Sequence, residues 1–249
     1  MLFSRVGTAM STFVLVHGSW HGAWCWHDVV PRLEAAGHDV VAPDLPAHGV
    51  DTTPPDEVTF DDYVSRICSA VDDADEPVVL VGHSMGGHAV TQAAERRSDA
   101  IDTLVYLAAF LPADSQSLTD LDLSGHDSRV PPGLAVDEER GVVEVDFDTA
   151  VDAFYHDCST ADVALCRALL RPEPIEPRTV PVELTDANYG SVRRAYIECA
   201  EDRALPLSFQ RERQQAVPCD EVRTLETSHS PFLSAPDALV EALLDVSLG

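Results

Sequence analysis

The chain has 249 residues, of which 45% are hydrophobic, and this is enough for one well-packed core. Its 43 acidic residues outnumber 16 basic ones, all of them arginine, so the formal net charge is −27. Nucleic acids and anionic membranes are excluded as expected partners, because proteins bind both through lysine and arginine.

Six apolar segments predict the strands of a mostly parallel sheet. They are continuous apolar runs rather than alternating ones, which is typical where helices cover both faces of a sheet. The predicted strands span residues 13–16, 38–44, 77–82, 101–110, 193–202 and 221–228.

Segments with helical spacing lie between these strands and after the last one. The predicted helices span residues 24–36, 60–74, 85–97, 207–217 and 236–248. Strands that alternate with helices in this way predict a doubly wound α/β fold.

The alternation is interrupted between residues 111 and 188, where prolines, acidic residues and short helical pieces replace it. We expect this segment to be an inserted, mostly helical cap. The chain then forms a single domain, residues 1–249, with a core made of residues 11–110 and 189–249.

The segment Gly82-His83-Ser84-Met85-Gly86 matches the pattern G-x-S-x-G where a predicted strand meets a predicted helix. Small residues at both ends permit a sharp turn that holds the serine hydroxyl in front of the sheet. Ser84 is therefore the candidate nucleophile. The alternative is a serine that only caps the helix, but a cap does not require glycine on both sides.

A serine nucleophile needs a histidine base and a carboxylate that orients the base, and in this fold the chain order is Ser, acid, His. His229 is the only histidine after the cap and is the candidate base. Asp202, at the end of a predicted strand, is the candidate acid. Glu201 and Asp114 are competing candidates, and each of these acids could instead be a solvated loop residue.

The developing oxyanion needs backbone donors, which we expect from Met85 and Ser19. Gly18 allows close approach of the backbone to the substrate, and Trp20 is expected to line the pocket. His17, His21 and His27 are close in sequence but lack a carboxylate at ligand spacing, so no metal site is predicted.

Five segments resemble the α/β-hydrolase subfamily that contains plant methyl esterases and hydroxynitrile lyases. The resemblance covers most of the chain and weakens in the cap. It implies a triad of Ser84, Asp202 and His229, with the amides of Ser19 and Met85 as oxyanion donors. The segments are FVLVHGSWHGAWCWHDVVPRLEAAGHDVVAPDLPAHG, EPVVLVGHSMGG, LVYLAAFLP, YIECAEDRALPLSFQ and TSHSPFLSAPDAL.

Two positions separate the branches of this subfamily. The lyases that resemble the chain have a threonine after the first-loop histidine and a lysine after the catalytic histidine. Here these positions are Gly18 and Ser230, so no cation stabilises a departing cyanide. The resemblance therefore favours the esterase branch.

We expect a serine hydrolase of small carboxylic esters that needs no cofactor or metal. Two alternatives stay open: a thioester, lactone or carbon–carbon bond hydrolase with the same triad, and a ligand-binding protein with a vestigial site. The expected partner is a small-molecule ester, and the oligomeric state is left open, with a homodimer as one option.

The remaining expectations concern the environment of the protein. Acidic residues are spread along the chain, and concentrated salt would screen their repulsion, so the composition resembles that of proteins from halophiles. We expect a soluble, cytoplasmic protein whose six cysteines stay reduced. Asp72, Asp73, Asp75 and Glu76 predict a solvated helix end. Residues 1–9 are read as a leader, and the start is either Met1 or Met10.

Overall fold

A computed structural model describes residues 10–74 and 78–247. The predicted leader 1–9, the acidic pair Asp75 and Glu76, and the first residue predicted for the third strand, Pro77, lie outside the described residues. So does Leu248, the last residue predicted for the final helix.

The central sheet has six strands, all parallel, in the order β2-β1-β3-β4-β8-β9. A second, antiparallel sheet contains β5, β6 and β7. The strands are β1 (Thr12–Val16), β2 (Asp39–Val41), β3 (Val78–His83), β4 (Ile101–Leu107), β5 (Leu134–Asp137), β6 (Val142–Val145), β7 (Glu173–Pro174), β8 (Arg193–Cys199) and β9 (Glu221–Leu225).

The α-helices are α1 (Val30–Ala36), α2 (Phe60–Asp72), α3 (Gly86–Arg96), α4 (Phe147–Phe154), α5 (Thr160–Leu169), α6 (Glu176–Thr179), α7 (Leu207–Ala216), α8 (Pro231–Ser234) and α9 (Pro236–Ser247). Single 3₁₀ turns occur at Ala23–Trp26, Pro55–Glu57, Leu118–Asp120, Pro131–Gly133 and Tyr189–Ser191.

Two large hydrophobic clusters lie one on each face of the central sheet, and Leu121, Leu205 and Phe209 form a third, small cluster. Alternate residues of β1 face opposite ways: Phe13 belongs to the cluster formed with α1 and α9, and Val14 to the cluster formed with α2 and α3. All five residues of β1 are buried. Helices on both faces explain why the central strands are continuously apolar, and the doubly wound α/β prediction is confirmed.

Several predicted elements are shorter than expected, and for two of them a proline explains the difference. The helix predicted from residue 24 begins only at Val30, because Pro31 lacks an N–H and fits only the first turn of a helix. The strand predicted for 38–44 contains only Asp39–Val41, since it lies at the sheet edge and Pro43 cannot donate to a ladder.

The segment between β4 and β8 contains α4, α5, α6 and the antiparallel sheet β5–β7. Helices are the larger part of its regular structure, as predicted, but the small sheet was not predicted. Its strands have four, four and two residues, which is too short for a periodic sequence signal.

The described residues contain no helix that is both long and apolar enough to cross a bilayer. All six cysteines are free thiols. Cys25, Cys68, Cys166 and Cys199 are buried, as expected for small apolar side chains.

Candidate active site

The predicted site residues lie where central strands end. Ser84 directly follows β3, Ser19 lies three residues after β1, and Asp202 lies three residues after β8. His229 lies in the loop after β9. Because all these strands are parallel, their carboxyl ends meet at one edge, where α/β sheets bind ligands. Ser19, Ser84 and His229 line one cavity there.

Ser84 occupies a sharp turn between β3 and α3. Its φ is +53°, in the left-handed region that non-glycine residues adopt rarely. Its carbonyl accepts hydrogen bonds from the amides of Gly87 (3.0 Å) and Phe110 (3.1 Å), which hold the turn in place.

The flanking glycines are required by close packing. A Cβ at Gly82 would lie 2.5 Å from the Val90 side chain, and a Cβ at Gly86 would lie 2.6 Å from the His17 carbonyl oxygen. Glycine at these two positions thus allows the close approach of neighbouring segments that the turn needs. The side chain of Ser84 is only half-buried and reaches the cavity.

His229 and Asp202 form a buried pair. Nδ1 of His229 lies 2.7 Å from Oδ2 of Asp202. The other carboxylate oxygen, Oδ1, accepts hydrogen bonds from the amides of Ala204 (2.7 Å) and Leu205 (2.9 Å). The carboxylate is therefore fixed in a position that requires the His229 proton on Nδ1 and leaves Nε2 free to accept.

The competing acids lie elsewhere. Glu201 is exposed, and its amide bonds the carbonyl of Thr227. Asp114 is also solvent-facing, and its Oδ1 accepts a hydrogen bond from the amide of Leu184 (2.8 Å). Neither carboxylate approaches His229, so Asp202 is the only one of the three candidates that the structure brings to it.

The backbone amides of Ser19 and Met85 have no acceptor among the described residues. His17 orients the amide of Ser19. Its Nε2 accepts from the Leu45 amide (3.1 Å), so its Nδ1 carries the proton and donates to the Gly18 carbonyl (2.9 Å). In a planar trans peptide, the N–H of Ser19 then points the opposite way.

A family model described as the alpha/beta hydrolase family matches residues 13–242. The chain belongs to the alpha/beta hydrolase family. It is 36% identical to salicylic acid-binding protein 2 of Nicotiana tabacum, covering 94% of this chain and 96% of the relative. It is 33% identical to polyneuridine aldehyde esterase of Rauvolfia serpentina, covering 94% and 95% of the two chains.

Solved structures agree with this assignment. The crystal structure of polyneuridine aldehyde esterase is 32% identical, with a TM-score of 0.86 over 96% of this hydrolase and 99% of that chain. Tomato methylketone synthase I complexed with 2-tridecanone is 30% identical, with a TM-score of 0.87 over 96% and 98%. The resemblance to plant esterases is confirmed.

In this hydrolase, a buried polar cluster connects the cap to the first loop, and the sequence analysis did not predict it. Glu173, in β7, is fully buried. Its Oε2 accepts from the Trp20 amide (3.1 Å) and from His48 Nε2 (3.2 Å), and its Oε1 accepts from the Tyr63 hydroxyl (3.1 Å). Trp20 has a φ of +64°, so this hydrogen bond holds a strained residue beside the candidate oxyanion donor.

The cluster contains a charged pair. His48 Nδ1 lies 3.1 Å from the Pro46 carbonyl and 3.3 Å from the Tyr63 hydroxyl, which itself donates to Glu173, and Nε2 faces Glu173. This arrangement favours a protonated imidazole that donates from both nitrogens. Burial lowers the pKa of His48, but the Glu173 carboxylate outweighs it and the net shift is upward. Burial raises the pKa of Glu173, yet His48 overcomes this and holds it at about 2.

Trp20 also donates from its indole Nε1 to the Val143 carbonyl in β6 (2.9 Å), and its ring stacks on Phe154. Its side chain lines the cavity, as expected. The cavity has a volume of about 70 Å³. Because pockets for drug-sized ligands span roughly 300–1,000 Å³, this cavity accepts only a small group unless the cap moves.

Buried neutral histidines, of which His17 and His21 are two, should make this hydrolase lose stability on acidification. Burial, the largest cause, lowers the pKa of His17 to about 3 and that of His21 to about 4 from the ordinary 6.5. Below pH 6.5 the unfolded chain binds protons that the folded chain refuses, so the free energy of unfolding falls with pH. Between pH 7 and pH 5 each histidine should remove about 2 kcal/mol.

Urea unfolding at both pH values, in constant concentrated salt, measures this loss. The variant His21→Asn should show a smaller difference between the two pH values, whatever its stability at pH 7. Equal stability of the wild type at pH 7 and pH 5 would contradict the assignment of neutral histidines.

Proposed function

We propose that this chain is a serine hydrolase of small carboxylic esters, with Ser84 as nucleophile, His229 as base and Asp202 as the orienting acid. One observation carries the proposal: Ser19, the half-exposed Ser84 and His229 line one cavity, where His229 is paired with buried Asp202 and the Met85 amide directly follows Ser84. Esterase relatives over nearly the whole chain support it.

In the first half of the reaction, His229 Nε2 takes the Ser84 proton while Oγ attacks the ester carbonyl carbon. The carbonyl oxygen becomes an oxyanion that the Ser19 and Met85 amides stabilise. The bond from the carbonyl carbon to the alkoxy oxygen then breaks, and His229 gives its proton to the departing alcohol. The acyl group stays on Ser84.

In the second half, a water attacks the acyl carbon after giving a proton to His229. The Ser84–acyl bond breaks, Oγ takes the proton back, and the carboxylic acid leaves. Throughout both halves, Asp202 holds the imidazole and stabilises its charged form. The residues of this chain complete the cycle with water as the only other reactant, so the proposed mechanism requires no cofactor or metal.

Two observations favour ester hydrolysis over cyanohydrin cleavage. Ser230, next to His229, is buried and neutral, so the position that holds a lysine in the lyases carries no cation here. A Cβ at Gly18 would lie 2.8 Å from the Ser84 Cβ and 2.9 Å from His83 Nδ1, so this position admits no side chain, and the threonine of the lyases would not fit there. Gly18 thus contributes to substrate binding through its lack of a side chain.

Hydrolysis of thioesters, lactones or carbon–carbon bonds would use the same residues. The volume of about 70 Å³ favours a compact ester among these substrates. We also propose that the enzyme works in a salt-rich cytoplasm, because a net charge of −27 destabilises a compact state in dilute solution and molar salt shortens the Debye length to about 3 Å.

Covalent labelling tests the proposal against a vestigial, ligand-binding site. In about 3 M KCl, chosen for the Debye length given above, a fluorophosphonate should react with the wild type, and mass spectrometry should locate it on Ser84. The exposed serine variant Ser191→Ala should label as the wild type does, while Ser84→Ala should not label. A folded wild type that stays unlabelled would contradict the serine hydrolase proposal.

A further inference from the structure

Arg178 is a cap residue that lines the same cavity as Ser84 and His229. It lies in the short helix α6 and is half-buried. Its guanidinium forms no ion pair and donates no hydrogen bond to any residue within 10–74 and 78–247, whereas its backbone amide bonds the Ile175 carbonyl. A chain with 43 acidic residues thus leaves one cavity arginine without an anion.

The charges near Arg178 do not compensate it. Glu173 is the carboxylate that acts on it, but Glu173 is already engaged by protonated His48, the Tyr63 hydroxyl and the Trp20 amide. Burial lowers the pKa of Arg178, and the attraction of Glu173 only partly opposes this. A guanidinium stays protonated in proteins, so a bound anion would relieve an uncompensated charge.

The rest of the cavity wall offers an anion no other cation. Leu118, Val130, Leu134 and Phe154 make much of it apolar, and apart from Arg178 the only titratable residue among those lining it is His229. Outside the cavity the net charge of −27 repels anions. Arg178 is therefore a local positive centre inside a negative protein, in the wall of the cavity that Ser84 also lines.

We propose that Arg178 binds a free carboxylate of the substrate, so that the preferred substrates are half-esters of short dicarboxylic acids. This rests on the proposed ester hydrolase function, because Ser84 must attack the ester at one end while the guanidinium holds the acid at the other. A half-ester held at both ends is larger than the cavity of about 70 Å³, so its binding requires the cap to move. A planar guanidinium binds a carboxylate through two parallel hydrogen bonds, and this fixes orientation as well as position.

Paired substrates test the proposal. Monomethyl glutarate and methyl pentanoate have the same chain length and the same ester, and only the first carries a carboxylate. The wild type should show a kcat/KM roughly 10- to 100-fold higher for monomethyl glutarate, because a hydrogen bond to a charged group strengthens binding by about this factor. In Arg178→Met the ratio of the two kcat/KM values should fall to about one. Arg178→Lys should keep part of the wild-type preference for monomethyl glutarate.

Arg167→Met is the matched control. Arg167 is a cap arginine of α5 that lies over the Phe147 ring and does not line this cavity, so its removal should leave the ratio as in the wild type. A wild type that hydrolyses both esters equally well would overturn the Arg178 proposal and leave the esterase proposal standing.

Binding separates the two proposals if neither ester is hydrolysed. Titration calorimetry of monomethyl glutarate with the wild type should then still show binding at least roughly 10-fold tighter than that of methyl pentanoate, and Arg178→Met should abolish the difference. In that case the esterase proposal fails and the carboxylate site stands. Equal or absent binding of the two esters would overturn the carboxylate site as well.

Discussion

Replacing Ser84 by alanine should lower the turnover of p-nitrophenyl acetate by about 10⁶-fold. Both halves of the proposed reaction pass through the Ser84 oxygen, so no acyl-enzyme can form without it. The amides of Ser19 and Met85 stay in place, and they should leave a small residual rate above that of water. Product release at saturating ester in concentrated salt measures the loss.

Two comparisons make this result specific. The alanine variant should keep the circular dichroism spectrum and the urea midpoint of the wild type within a small margin, because only one oxygen is removed. The surface variant Ser191→Ala should keep full turnover. If Ser84→Ala retained more than about one part in a hundred of the wild-type rate, Ser84 would not be the nucleophile, since removal of any single triad member is expected to cost far more.

Replacing Asp202 by asparagine should lower turnover by about 10⁴-fold through the proton position on His229. The Ala204 and Leu205 amides donate to Oδ1, so the amide oxygen of an asparagine would take that place. Its NH₂ group would then face His229 Nδ1 and force the proton onto Nε2. A histidine protonated at Nε2 cannot accept the proton of Ser84.

The neighbouring acid provides the matched control for this variant. Glu201 is exposed and one residue away, so Glu201→Gln should hydrolyse p-nitrophenyl acetate at nearly the wild-type rate. Steady-state turnover at pH 7 to 8 measures the loss in Asp202→Asn against that in Glu201→Gln. A loss of less than tenfold in Asp202→Asn, or an equal loss in Glu201→Gln, would remove Asp202 from its proposed role.

The sequence was sufficient to predict the central fold and the location of the candidate site. The inner strands β1 and β3 contain continuous apolar runs, and the candidate residues follow strand ends, where a short local pattern such as Gly82-His83-Ser84-Met85-Gly86 carries the signal. The sequence analysis preferred Asp202 to Glu201, and the structure gives a geometric reason: both residues follow β8, and only Asp202 contacts His229.

The Glu173 cluster and Arg178 could not be predicted in this way. The cluster joins Trp20, His48, Tyr63 and Glu173, which are far apart in sequence and meet only when the cap folds onto the core. The cap strands are too short for a periodic signal. In a chain with so many charges, no local pattern distinguishes an arginine that lacks an anionic partner from one that has a partner.

The hydrogen bond from the Trp20 amide to Glu173 has a consequence for protein engineering. Exchanging the cap for that of a relative is a direct way to change substrate preference. In this protein, however, the cap residue Glu173 supplies a carboxylate to the loop that carries the Ser19 amide. A chimaera with a foreign cap would leave protonated His48 and the Trp20 amide without their acceptor. Recombination between relatives should therefore succeed when Trp20, His48, Tyr63 and Glu173 are inherited as one unit.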